Sequence, residues 1–282
     1  MPGNVKLRHD AAYILDYQPD PRVLKINIHK SRIEQVYGGR YGSGPGDIAQ
    51  PTDFTVTKNG DVWVADVENS RLSVFAPDGK EDTIILHDQI PYKISSSEQS
   101  VNVALTSQNN SRTYLLGKDE TIFWESDHLT RENHHTWNNI LTSFSIYSEN
   151  NQAFQVGNFA GYIAKYNTEG KLAYIRETIQ HKQNPVGNPV QGVEQRLYNV
   201  DREALDYAVV NGSVCGDKLI LHVHYYEDEP RQILDVYSVS DGSYLYSYNL
   251  EEIFRDVYIS EKGILAGLKA EGELYLYELS KL

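Results

Sequence analysis

Along most of this chain apolar and polar residues alternate with a period of two, as in Val62/Val64 and Leu72/Val74. Side chains of a strand point to opposite faces in turn, so the pattern predicts strands rather than helices. The stretch from Pro51 to Lys80 shows the unit best. It predicts strands over Asp53–Thr57, Asp61–Ala65 and Arg71–Phe75, turns at Asn59-Gly60 and Asp78-Gly79, and a fourth strand over Asp82–Leu86. Asn-Gly and Asp-Gly favour tight hairpins because both positions accept positive φ. The same unit recurs from Tyr92 to Trp124, from Phe144 to Ile175 and from Leu205 to Asn249. A front copy runs from Val5 to Tyr37, and a last copy of three strands from Asp256 to Leu279. Helical pattern is confined to Asp201–Leu205 and Glu251–Arg255, each long enough for a turn only.

Six copies in 282 residues give a period near 47. Antiparallel four-strand units at that spacing predict an all-β fold, a six-bladed β-propeller with one three-stranded blade, forming a single domain over residues 1–282. A lone four-stranded sheet has two apolar faces and cannot cover both. Sheets arranged around an axis cover each other.

The stretch GGRYGSGPGDIAQPTDFTVTKNGDVWVADVENSRLSVFAPDGK, Gly38–Lys80, resembles an NHL repeat. The resemblance lies in Gly42, Gly44-Pro45-Gly46, Pro51, Gly60, Val64-Ala65-Asp66, Asn69, Arg71, Phe75 and Gly79-Lys80. Together with Tyr13-Ile14-Leu15-Asp16 ahead of the Gly-Pro-Gly loop, it is similar to a six-bladed propeller family of Bacteroidetes and related bacteria. That resemblance implies a periplasmic or extracellular protein with a leader outside this chain. A chain that truly starts at Met1 would be cytoplasmic. Strand arithmetic leaves the last copy without an outer strand, which either residues ahead of Met1 supply, consistent with a leader, or Val5–His9 supplies, leaving the first blade short.

Composition narrows the function. Lys and Arg number 26 against 39 Asp and Glu, a net charge of −13. Neither nucleic acid nor anionic lipid attracts such a surface. No apolar run approaches the ~18 residues of a membrane helix. The one cysteine, Cys215, excludes an intrachain disulfide. Tyrosine, with 21 copies, suits half-buried strands and wet binding surfaces.

Loop lengths separate two faces. Turns such as Lys58-Asn59-Gly60, Thr168-Glu169-Gly170 and Ser260–Gly263 are tight and share one face. The connections Gly38–Gln50, Glu125–Asn139 and Ile179–Glu203 are long and share the other, where a rigid scaffold tends to carry binding. Candidate ligand-binding residues there are His134, His135, Trp137, His222, His224, Tyr225 and Tyr226. His222 and His224, at i and i+2, share one strand face. They either hold a divalent metal or pack between sheets. His134 and His135 are adjacent and point apart, against a shared metal. Glu227–Glu229 lack the alternating spacing of a calcium loop. Gly42-x-Gly44-Pro45-Gly46 is followed by no helix, so it is a tight crossing and not a phosphate loop. Asp66 and Asn69 are expected to accept backbone hydrogen bonds, and Arg71 to pair with a carboxylate. No nucleophile motif surrounds Ser213 or Cys215.

The expectation is therefore a monomeric, non-catalytic module for a protein, peptide or glycan, with no cofactor. The alternative is a metal-assisted hydrolase or lyase at the channel mouth. Its ligands are His222, His224 or His135, and its base Tyr225 or Glu227. Similarity to propellers among the lactone hydrolases, streptogramin-type lyases and amidating lyases suggests it.

Overall fold

The computed structural model describes residues 2–17, 19–86, 89–96, 101–106, 111–116, 122–125, 144–149, 152–159, 161–180, 187–189, 198–200, 207–226 and 230–279. Among these residues there is no helix. The first sheet holds β1 (Pro2–Arg8), β2 (Ala11–Asp16), β3 (Arg22–Asn27) and β4 (Arg32–Gly38). The second holds β5 (Pro51–Val56), β6 (Val62–Asp66), β7 (Arg71–Phe75) and β8 (Glu81–Ile85). The third holds β9 (Ile90–Ser96), β10 (Val101–Thr106), β11 (Ser111–Leu116) and β12 (Ile122–Glu125). The fourth holds β13 (Phe144–Glu149), β14 (Gln152–Gly157), β15 (Tyr162–Tyr166) and β16 (Leu172–Glu177). A two-stranded ribbon follows, β17 (Gly187–Pro189) with β18 (Tyr198–Val200). The fifth sheet holds β19 (Tyr207–Cys215), β20 (Lys218–Tyr225), β21 (Arg231–Ser238) and β22 (Tyr244–Leu250). The last holds β23 (Asp256–Ile259), β24 (Ile264–Leu268) and β25 (Leu274–Glu278). Each described sheet is an antiparallel meander in chain order.

The fold is a β-propeller. The first strand of each sheet lies against the first strand of the next, and β23 returns to β1, so the ring closes. Six apolar clusters fill the gaps between neighbouring sheets. Trp63, Leu72 and Ile84 of the second sheet meet Ile94, Val103 and Leu116 of the third. Val5, Leu7 and Ile14 of the first meet Ala266 and Leu268 of the last. Burying one such large apolar side chain contributes about 1.5–3 kcal/mol, which drives the sheets together face to face.

Three details differ from the sequence expectation. The first strand begins at Pro2 rather than Val5, because Pro2 still opposes Asp16 across a bulge. The connection after β16 contains the β17–β18 ribbon, where only loop was expected. Glu251–Arg255 makes no helical turn: Phe254 is drawn into the core instead, its N–H and C=O both bonded to Gln232.

Candidate functional site

Among the described residues, the turns joining first to second and third to fourth strands are tight, closed by bonds such as Gly60 N–H to Thr57 O and Gly79 N–H to Ala76 O. The connections between sheets leave the opposite face. One of them, Gly39–Gln50, is held by three residues of the sheet that it enters. The Asp66 carboxylate accepts from the backbone N–H groups of Ala49 (3.1 Å) and Gln50 (3.0 Å). Asn69 donates through Nδ2 to Gly42 O (2.9 Å) and to Asp66 (2.7 Å). Arg71 donates to the carbonyls of Ser43 (2.9 Å), Gly44 (3.3 Å) and Asp47 (2.6 Å), with its Nε 3.7 Å from Asp66. Asn69 is thus a donor and not the expected acceptor, because the loop turns a carbonyl toward it. Arg71 gives most of its fork to backbone and only its Nε side to a carboxylate. Gly46, at φ +72°, lies so close to the Glu81 carboxylate that a Cβ would collide with it.

A second polar cluster lines the start of the first strands, at the channel mouth on this same face. The Asp256 carboxylate accepts from Val5 N–H (2.7 Å) and from Asn211 Nδ2 (2.5 Å). Asn211 Nδ2 also reaches Val257 O (3.1 Å). Asp53 accepts from Ile94 N–H (3.3 Å), Phe54 N–H (2.9 Å) and Asn4 Nδ2 (3.4 Å). Tyr17 donates to Asn4 Oδ1 (3.1 Å). Further down, Thr55 Oγ accepts from Ser96 N–H and Ser213 Oγ from Ile259 N–H, both at 2.9 Å. Apart from Asp53–Phe54 and Tyr17–Asn4, which stay within one sheet, these links run from one first strand to the next and tie the fifth, last, first, second and third sheets in series. Burial pushes the Asp256 carboxyl up, opposed by the Lys6 charge. Burial, with the Asp53 and Asp256 charges, pushes the Tyr17 phenol up to about 12. Sequence reasoning missed this cluster. Apart from Asp53 and Phe54, its partners lie 13 to 251 residues apart, and the local signal was only a polar residue on a first strand.

His222, His224, Tyr225 and Tyr226 stand at the end of β20, on the connection face. His222 is 1% exposed and faces the last sheet. Its Nε2 lies 3.0 Å from Gln232 Oε1. Gln232 Nε2 donates to Phe254 O (2.8 Å) and Gln232 Oε1 accepts from Phe254 N–H (2.9 Å). That amide orientation makes Oε1 an acceptor toward the ring, so His222 carries its proton on Nε2 and Nδ1 is bare. The His222 and His224 rings meet edge to face at 4.6 Å. Nδ1 of His222 and Nε2 of His224 have no hydrogen-bond partner among the described residues. Burial, then the neighbouring His224, pushes the His222 imidazole down to about 3; burial pushes His224 down to about 4. Tyr225 turns the other way, accepting from Gln180 Nε2 (2.9 Å) with the Arg231 guanidinium 4.6 Å above its ring. Gln180 also donates to Asp235, which Ser247 Oγ bonds at 2.5 Å. Tyr226 is half exposed. The structure therefore brings His222 and His224 together and separates them from Tyr225. His134, His135, Trp137 and Glu227–Glu229 lie outside the described residues. Among the described residues no three His, Cys, Asp or Glu side chains gather in a metal-binding group.

Residues 49–75 match the NHL repeat family. No curated protein matches the chain. Solved structures share the propeller fold at low identity. A Bacteroides caccae protein of unknown function is 10% identical, with a TM-score of 0.55 over 96% of this chain and 90% of that one. Virginiamycin B lyase from Staphylococcus aureus is 13% identical, with a TM-score of 0.55 over 100% and 85%. The Cps50 (Swd1) β-propeller domain of Myceliophteria thermophila is 9% identical, with a TM-score of 0.57 over 98% and 96%.

Proposed function

We propose that this protein is a non-catalytic binding module, a six-bladed propeller that offers its connection face to a protein, peptide or glycan. The observation that carries the reading is the inequality of the two faces. One is closed by tight turns. The other bears the Gly39–Gln50 connection and exposes Tyr41 and Tyr226, side chains of the type that dominates binding hot spots. The channel-mouth carboxylates support it, because their oxygens already accept hydrogen bonds that tie strand to strand. We read the protein as a monomer, and as periplasmic or extracellular on its family resemblance. Trp137→Ala and Tyr226→Ala test the binding reading. Each is expected to weaken partner capture by immobilised protein; two unchanged variants would refute the choice of face.

A metal-assisted hydrolase or lyase is the second reading, favoured by the bare nitrogens of His222 and His224 and by the fold shared with virginiamycin B lyase. Elemental analysis of protein purified without chelator separates the two. Stoichiometric zinc, calcium or manganese supports the enzyme; its lack supports the binding module.

A further inference from the structure

His222 and His224 on β20 hold nitrogen lone pairs that the fold leaves unused. Gln232 gives both ends of its amide to Phe254, accepting from its N–H (2.9 Å) and donating to its C=O (2.8 Å). That clamp leaves Gln232 Oε1 facing His222 Nε2 at 3.0 Å, so the His222 proton sits on Nε2 and Nδ1 keeps its lone pair. Nδ1 is buried without a hydrogen-bond partner, and so is Nε2 of His224, whose ring centre lies 4.6 Å away. A buried polar atom without a partner is costly, so two side by side point to something that fills both. His222 is held in place. His224 is only partly covered and stands beside half-exposed Tyr226, so its ring is free to turn toward the fixed nitrogen.

The surroundings decide what suits the pair. His222 pairs in register with Asn211 and Leu234, and Ile220, Leu234 and Phe254 are buried in the same gap between the fifth and last sheets. The Asn211 amide is already given to Asp256 and Val257. Among the described residues no third His, Cys, Asp or Glu joins the two rings in a metal-binding group. Cys215 faces the same gap, but it pairs with Lys218, four positions from His222 and roughly 13 Å along the strand at ~3.3 Å per residue.

We propose that His222 Nδ1 and His224 Nε2 together bind one monovalent copper ion, copper(I). Two neutral nitrogens in an apolar gap are a poor set for the divalent ions. Zinc takes four ligands in structural sites, and three protein ligands with water in catalytic ones. Calcium takes six to eight oxygens. The cost of burying an ion rises with the square of its charge, so a divalent ion costs roughly four times as much here as a monovalent one. Copper(I) carries a single charge, accepts imidazole and is satisfied by two neutral donors. Its binding rests on the donor pair of the metal-assisted reading but needs neither the divalent ion nor the catalysis of that reading, and it suits a binding module equally.

Competition for copper(I) against a bathocuproine chelator in ascorbate tests this, in a Cys215→Ser background that removes the one thiol. One equivalent is expected to pass from chelator to protein, and a tenfold excess of zinc(II) should not displace it. His222→Gln and His224→Gln should each weaken binding at least tenfold. His29→Gln, on an exposed turn, should stay within twofold. A glutamine in place of His222 still donates to Gln232, and circular dichroism checks that the variants fold. Two readouts need no histidine variant. Nitrogen NMR should show His222 Nδ1 and His224 Nε2 shifting when silver(I), a redox-inert stand-in, is added. Copper X-ray absorption should show two nitrogen neighbours. Any of four results overturns the proposal: no copper leaves the chelator; binding is unchanged in either His222→Gln or His224→Gln; silver(I) moves neither nitrogen; or the pair takes one equivalent of zinc in preference to copper. The last would sink copper(I) and leave the metal-assisted reading standing. Copper(I) at the pair, in a protein that holds no zinc, calcium or manganese, would do the reverse.

Discussion

In the second sheet the incoming connection is held by an ion pair and an amide, Asp66 with Arg71 and Asn69, acting on six backbone groups of residues 42–50. In the fifth sheet the incoming connection is held by Asp235, Tyr225 and Tyr237, acting on Gln180 and on Ile179 N–H (3.3 Å). There the outgoing connection is held by the uncharged pair His222 and Gln232, acting on Phe254. Both sheets need buried polar side chains because a connection that dips toward the core brings N–H and C=O groups that must be paired. The second sheet meets the need with residues that recur as a motif. The fifth meets it with residues that follow no repeat.

The largest break in this comparison is expected from Asp66→Ala. It removes three accepted hydrogen bonds and leaves the Arg71 guanidinium buried beside no carboxylate, a loss of about 3–5 kcal/mol in chemical denaturation. Gln232→Leu is next. It strands the N–H and C=O of Phe254 together with the His222 ring, at about 2–3 kcal/mol, because unmade buried bonds cost more than made ones contribute.

Acid sharpens the contrast. The folded His222 pKa of about 3 lies below its ordinary 6.5, so the fold favours the neutral ring. Its contribution is complete above pH 6.5 and is lost as pH falls toward the folded value. At pH 5 the loss is about 2 kcal/mol relative to neutral pH. A His222→Gln variant should show a shallower decline between pH 7.5 and 5 when denaturation midpoints are compared. Buried Asp235 and Asp256, whose carboxyls are pushed up, act in the opposite sense and remain in both proteins. The smallest effect is expected from Tyr226→Ala, within about 0.5 kcal/mol of the parent in stability, since the ring is half exposed.

The second sheet was readable in advance because its information is local. Asn59-Gly60 and Asp78-Gly79 announce hairpins, Val62/Val64 announces a two-faced strand, and Asp66, Asn69 and Arg71 act on residues at most 28 positions away. The shared face of His222 and His224 was readable too, from spacing alone. Their partner was not: Gln232 belongs to the next strand and takes its meaning from Phe254, 22 residues on. The ties at the channel mouth were less legible still. Asp256 meets Val5 only because the ring closes, and no local pattern encodes closure.

The claim that the connection face is the working surface is tested most directly by comparing two paired variants for capture of the same partner. Tyr41→Ala with Tyr226→Ala alters that face; Asp78→Ala with Glu169→Ala alters the tight-turn face. The account predicts at least a tenfold loss of affinity for the first pair and parent-like binding for the second. Binding lost through the tight-turn pair and kept by the tyrosine pair would contradict it.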